Sequence, residues 1–260
     1  MKLREIYERI DARYPKRLSD EYISAYGGRD NSGILVDAGK EITGTVFSLD
    51  FSLGAIAAAE KGGKNLIVTH HPAIFFPISE LRWEDPLGKR LLCAIEKGIG
   101  VISMHLNMDC AQGGIDEYLA RALGGSGELA PREKLAQGGY GRIFDVEPIG
   151  YSEFIKRLKR ELRTERAFVY GNENTITKVA SFCGAGVDGG AIAAAKEQGA
   201  QVIVSADIKH NYLCDAQESG LNVVQLTHYA SENYGFKKIY QELKDTLGVA
   251  SEYYEDGHML

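Results

Sequence analysis

The sequence predicts an α/β protein built from two related lobes, and three observations lead there. AIAAAEKGGKNLIVTH at residues 55–70 can be laid over AIAAAKEQGAQVIVSA at 191–206, and each is preceded by an Ile-Thr strand pattern, ITGTVFSLD and ITKVASFCG. Each stretch reads as strand, Ala-rich helix and then a continuous apolar strand of the kind buried in a parallel sheet. KGIGVISMHLNMD likewise resembles SGLNVVQLTHYASEN, with a Gly-led turn, a buried strand and a histidine near its end. Finally, 260 residues suffice for a substantial core, either in one large domain or in two intimate halves. The expected division is a first lobe over residues 1–125 and a connection plus second lobe over 126–260, packed as one unit. Equivalent strand ends would then face a common cleft holding a metal site. The bland reading is that Ala-rich helices followed by Val/Ile strands align by composition alone.

In chain order, Leu3, Ile6, Tyr7 and Ile10 fall at helical spacing, so the chain opens with an amphipathic helix ended by Pro15. The first βαβ unit follows. Residues 124–150, rich in Gly, Glu, Lys and Pro, read as a connection. YSEFIKRLKRELR reads as a helix and RAFVYG as a strand leading into the second unit. The basic run KRLKRELRTER alternates with Phe154, Ile155, Leu158 and Leu162, which makes a solvated helix face a better account than a nucleic-acid patch. YGFKKIYQELKDTLG reads as a helix burying Phe236, Ile239, Tyr240, Leu243 and Leu247, with Gly248 as its terminator.

Charge and cysteine content exclude several classes. A net charge of −6 and a pI near 5.6 argue against a broadly nucleic-acid-binding surface. No stretch approaches the roughly 18 apolar residues of a membrane span, and the charged start is unlike a signal peptide, so a soluble, cytoplasmic protein is expected. Cys93, Cys110, Cys183 and Cys214 are widely spaced and read as reduced thiols.

The chemistry gathers at strand ends. His70 and His71 follow the apolar run NLIVT and are stopped by Pro72, while His105 and Asp109 lie in SMHLNMD and His228 and Glu232 in THYASEN. Imidazole suits Zn, Fe, Mn or Ni, and carboxylates bridge pairs of cations. His228 and Glu232, four apart, share a helix face. Pro72 biases His71 toward extended backbone, so neighbouring imidazoles point apart and can serve two ions. Any one of these signals alone fits a satisfied half-buried histidine or an ordinary exposed helix pair; three ligand-bearing strand ends together favour a metal centre. The repeat alignment sets Asp207 opposite His71. GAGVDGG at 184–190 reads as a phosphate cradle or, more plainly, as a tight strand-to-helix turn. His258, in the acidic tail EYYEDGHML, reads as a surface residue.

VTHHPAIFFP, the H-x-N-x-D of HLNMD, SADIKH and the final H-Y-A-S-E together resemble the NIF-three-like family, also called the GTP cyclohydrolase 1 type 2 homolog family, over nearly the whole chain. The resemblance implies two α/β lobes with a dinuclear divalent-metal site between them, and subunits assembled as a homohexameric ring. Carried over residue by residue, His70, His71, Asp109, His228 and Glu232 become ligands of two divalent cations per subunit, of the Zn, Fe or Mn kind. His105 becomes the histidine that lines the site behind the ligands or facing substrate, and Asp207 and His210 lie near the cleft; if the centre is catalytic, His105 is also the candidate catalytic proton carrier. The chain departs from the family pattern at RDNSGI (29–34), where an aromatic-led W-D-N-x-G is usual, at HLNMD in place of H-T-N-L-D, and at Thr227 in place of a glycine; no ligand is lost. The implied function is a metal-dependent hydrolase acting on a nucleotide or related small molecule, although the sequence holds no P-loop. The alternative from another class is a non-catalytic metal-handling or regulatory ring that interacts with other proteins. Neither a membrane nor a nucleic acid is an expected partner.

Overall fold

The computed structural model describes residues 1–259 as a mixed α/β chain with two sheets. The elements run α1 (Leu3–Arg13), α2 (Arg17–Tyr26), β1 (Gly33–Val36), β2 (Gly44–Ser48), α3 (Leu53–Lys61), β3 (Leu66–Thr69), α4 (Pro86–Glu96), β4 (Gly100–Ser103) and α5 (Leu106–Cys110). There follow α6 (Ile115–Ala122), β5 (Pro131–Lys134), β6 (Gly139–Gly150), α7 (Tyr151–Leu162), β7 (Ala167–Tyr170), β8 (Thr175–Ser181), α8 (Gly189–Glu197), β9 (Val202–Ala206), α9 (His210–Glu218), β10 (Asn222–Leu226), α10 (His228–Leu243) and β11 (Ala250–Tyr253).

Lobe 1 comprises Met1–Ala111 and Phe236–Asp256; lobe 2 comprises Gln112–Gly235 and the residues from Gly257 onward. The edge between them thus falls at 111/112 where the composition of the connection suggested 125/126, and α10 begins in one lobe and ends in the other. The reason lies in packing. Asp116 on α6 is tied to Arg142 on β6 and to the Cys183 backbone N–H, so α6 belongs with the second sheet. The second half of α10 sets Phe236 and Tyr240 against Phe47 of β2, with ring centroids 6.0 and 5.3 Å apart.

Lobe 1 has strand order β1-β4-β3-β2-β11, in which β4, β3, β2 and β11 are mutually parallel and β1 is antiparallel to β4. Lobe 2 has the order β5-β6-β8-β9-β10-β7, in which β8, β9 and β10 are parallel and β7 is antiparallel to β10. The run β2-β3-β4-β1 therefore recurs as β8-β9-β10-β7, each with its antiparallel edge strand preceding it in the chain. The duplication is one of topology as well as sequence. Its helices start alike: the Ser52 hydroxyl accepts from Ala55 N–H at 3.1 Å, and the Asp188 carboxylate accepts from Ala191 N–H at 2.8 Å. An N-cap of this kind satisfies a backbone donor that the helix itself leaves unmet.

The Ala-rich faces explain how α3 and α8 lie close on their sheets. Ala55, Ile56 and Ala59 pack with Val46, Ile67 and Val101, and Ala191, Ile192 and Ala195 with Ala180, Ile203 and Val223. Strand alternation sends Val46 to this face and its neighbour Phe47 to the aromatic layer of α10. α7 buries Tyr151, Phe154, Leu158 and Leu162, with Lys156 and Arg160 outward and Arg157 folded in to donate to Leu123 C=O.

Four expectations change. α2 was not legible in the sequence reading. The Gly-rich stretch 124–150 contains β5 and the 12-residue β6, whose alternating buried Arg142, Phe144 and Val146 are a period-two signal hidden among glycines. α10 stops at Leu243, five residues before Gly248, although the stripe from Phe236 to Leu247 is buried. The acidic tail begins as β11, parallel to β2 with Ala250 opposite Gly44, and His258 beyond it is exposed. No helix among the described residues is long and apolar enough to cross a membrane, and no disulfide joins any of the four cysteines.

Burial pushes the Asp116 carboxyl up, against the pull of the Arg142 guanidinium and the backbone N–H groups of Cys183 and Gly141. Removing one member of such a pair strands the other charge in the core. Asp116→Asn is expected to cost about 3–5 kcal/mol in equilibrium urea unfolding followed by circular dichroism, and Asp116→Asn with Arg142→Met to recover part of it. An unchanged unfolding curve for the single variant would contradict this role.

Candidate metal centre

The ends of the parallel strands β2, β3 and β4 assemble the lobe 1 site. His70 and His71 leave the end of β3, and their backbone is held there: His71 N–H donates to Leu49 C=O at 3.0 Å and Met104 N–H to Thr69 C=O at 2.9 Å. The Thr69 hydroxyl donates to His71 C=O at 2.8 Å. His105 is the N-cap residue of α5, which puts Asp109 one turn on. The His70, His71 and His105 rings lie 4.9, 5.1 and 5.9 Å apart by centroid, and their candidate ligand nitrogens lie within 4.8 Å of one another.

Each of these imidazoles is oriented through Nδ1. His70 donates to Met104 C=O at 3.1 Å, His71 to Asp50 at 2.7 Å and His105 to Asp30 at 2.8 Å. Because a carbonyl and an ionised carboxylate only accept, Nδ1 bears the proton and Nε2 presents its lone pair. Metal-bound histidines are characteristically held this way. His70 is fully buried, and its Nε2 faces Asp109 Oδ1 at 3.4 Å.

Lobe 2 repeats the device on a smaller scale. His228 opens α10 two residues after the end of β10, as His105 follows β4. Its Nδ1 donates to Asp207 at 2.7 Å, and its Nε2 faces Glu232 Oε1 at 3.1 Å. Asp207 follows β9 directly and has φ +47°, a left-handed conformation that Asp tolerates better than most residues. The GAGVDGG loop serves this pair. A side chain at Gly184 (φ +56°) would place its Cβ 2.5 Å from Glu232 Oε1 and 3.3 Å from His228 Cε1. Gly184 N–H also donates to Ser231 Oγ at 3.0 Å. The glycine is thus needed for close approach to the two candidate ligands.

The donor set fits a divalent metal. A neutral imidazole Nε2 and a carboxylate oxygen are both electron pairs, and two such pairs at 3.1 and 3.4 Å repel unless a proton or a cation stands with them. Metal–ligand distances of about 2.0–2.2 Å place adjacent ligand atoms about 3.0–3.4 Å apart in octahedral or tetrahedral geometry. The observed separations match that edge.

The structure therefore brings His70, His71, His105 and Asp109 together in lobe 1, and His228, Glu232 and Asp207 together in lobe 2. His210 stands on exposed α9, with its Nε2 3.7 Å from Cys214 Sγ. Asp30, Asp50 and Gly184 escaped the sequence reading as site residues. The position of Asp50 at the end of ITGTVFSLD, beside a histidine-bearing strand, was the available signal.

Burial alone would raise the Asp30 carboxyl, but hydrogen bonds from His105, Ser19 and Ser32 outweigh it and hold the group well below the usual carboxylate range. A carboxyl lowered in the folded state contributes stability above its unfolded value, about 4, and loses it as pH falls toward the folded value. Metal-stripped Asp30→Asn is therefore expected to be less stable than the parent at pH 6–7 in thermal unfolding, with the gap closing below about pH 4. A gap independent of pH would contradict the assignment.

Comparison with known proteins agrees with the fold. A Methanocaldococcus jannaschii protein named GTP cyclohydrolase 1 type 2 homolog is 32% identical over 252 residues, covering 96% of this chain and 97% of that one. A Helicobacter pylori protein named GTP cyclohydrolase 1 type 2 is 28% identical, over 93% of this chain and 90% of the relative. Among solved structures, reduced HcgD from Methanocaldococcus jannaschii superposes with a TM-score of 0.79 at 30% identity, covering 98% of each chain. A Staphylococcus aureus hypothetical protein superposes at 0.85 with 23% identity, over 98% of this chain and 97% of that one, a likeness of fold. The family model described as Duf34/NIF3 (NGG1p interacting factor 3) matches residues 1–255, and the chain belongs to that family.

Proposed function

We propose that this protein is a metal-dependent hydrolase of a nucleotide or related small molecule, with a dinuclear centre in which His70, His71, Asp109, His228 and Glu232 hold two divalent cations. The observation behind this reading is the orientation of all four histidines through Nδ1, with two of the Nε2 atoms set against carboxylate oxygens at metal-ligand edge distances. The relatives' name, GTP cyclohydrolase 1 type 2, makes GTP the first substrate to test.

When bound, a pair of divalent cations supplies Lewis acidity, lowering the pKa of a water and polarising the bond under attack. The chain's own part is to position and to move protons. Asp50 and Asp207 hold the His71 and His228 rings in place; His105, steadied by Asp30, presents Nε2 as the proton carrier. Asp109 and Glu232, both nearly buried, supply negative charge that offsets the cations. Assembly into a hexameric ring belongs to the same proposal and is read by sedimentation.

Purified protein supplied with Zn, Mn or Fe should open or hydrolyse GTP or a related phosphate ester, and chelation should abolish this. His105→Gln should retain metal and lose at least about 100-fold in turnover. Metal retention in the parent with no turnover of any nucleotide or phosphate ester would sink the hydrolase reading and favour metal handling.

A further inference from the structure

A relay of aromatic rings leads away from His105 and ends at a cation. Phe75 stands edge-on to His105 with centroids 6.1 Å apart, and edge-on to Phe76 at 4.9 Å. The Arg29 guanidinium lies 5.4 Å from the Phe76 centroid. Phe76 is 62% exposed, and Arg29 is exposed and enters no ion pair among the described residues. An exposed aromatic face and a guanidinium thus stand side by side at the surface, one ring away from His105.

Both partners are anchored through the machinery of the site. Arg29 precedes Asp30, which is held by Ser19, Ser32 and His105. Phe76 lies two residues past Ile74, whose C=O accepts from Asn31 Nδ2 at 2.5 Å, and Ala73 N–H donates to Ser103 Oγ at 3.1 Å. The segment 29–32 thus orients His105, pins the base of the Phe75–Phe76 turn and presents the guanidinium. Arg29 also occupies the position where an aromatic residue was expected, so this chain sets a charge in place of a ring.

We propose that Arg29 and Phe76 form a ligand grip beside His105 that selects a nucleoside phosphate: Phe76 stacks on the heteroaromatic ring, and Arg29 pairs with a phosphate of the same molecule. The inference rests on the hydrolase reading of the histidine cluster and names two residues that would hold its substrate. The guanidinium fork matches phosphate oxygens in pairs, and an exposed aromatic face accepts any base by stacking. Both groups are preformed, which lowers the ordering cost of binding.

Calorimetric titration of the metal-loaded and metal-stripped protein with GTP, guanosine and ribose 5-phosphate separates the parts. GTP should bind at least about tenfold tighter than either fragment. Phe76→Ala and Arg29→Gln should each weaken GTP by about tenfold or more, and Phe76→Trp should restore it. Phe76→Ala should leave ribose 5-phosphate unchanged, and Arg29→Gln should leave guanosine unchanged. Equal GTP affinity in parent and variants overturns the grip; so does a change of sedimenting mass in Phe76→Ala with GTP affinity intact, which would make the ring an assembly contact. Metal-dependent hydrolysis that persists alongside either result leaves the hydrolase reading standing. The ring-and-phosphate pattern without any hydrolysis supports the grip and removes that reading.

Discussion

The hydrogen bond from each imidazole Nδ1 to a fixed acceptor is the constraint on which the site depends. It settles the tautomer and the direction of the ring, and so turns four ordinary histidines into pre-oriented Nε2 electron-pair donors. Three of the acceptors are carboxylates, Asp30, Asp50 and Asp207, and the fourth is the Met104 carbonyl at the end of β4. Each acceptor must itself be rigid. Asp30 is held by two serine hydroxyls, and Asp207 adopts a left-handed backbone directly at the end of β9.

Parallel strands explain why these groups meet within each lobe. Adjacent parallel strands end on the same side, so a carboxylate leaving β2 reaches a histidine leaving β3, and a carboxylate leaving β9 reaches a histidine leaving β10. This is the general location of chemistry in open α/β sheets. The duplication supplied two such edges, and they have diverged in content. Where lobe 1 has His71, the equivalent position in lobe 2 is Asp207, which orients a candidate ligand histidine, His228, in place of offering an imidazole itself.

The βαβ units, the helix over 151–162 and the histidine-bearing strand ends were legible because buried parallel strands and amphipathic helices leave strong periodic patterns. Where the sequence misled, the determining contacts were long-range. Glycines masked the alternation of β6, and the allegiance of α6 depends on a buried Asp116–Arg142 pair between residues 26 apart. The close of α10 by aromatic packing on β2, and the return of residues 250–253 as a sheet edge, likewise join distant segments. Asp30 and Asp50 went unread as site residues because an aspartate that positions a histidine from another element has no local signature. Gly184 is similar: its reason is the space taken by Glu232, 48 residues away.

The most direct test of the account is metal content per chain, by elemental mass spectrometry on untagged protein reconstituted with Zn, Mn or Fe, comparing the parent with His71→Ala from lobe 1 and Glu232→Ala from lobe 2. The proposed dinuclear centre predicts about two ions per chain in the parent and a loss in both variants. Full metal content in Glu232→Ala, with loss confined to His71→Ala, would contradict the proposed ligand set.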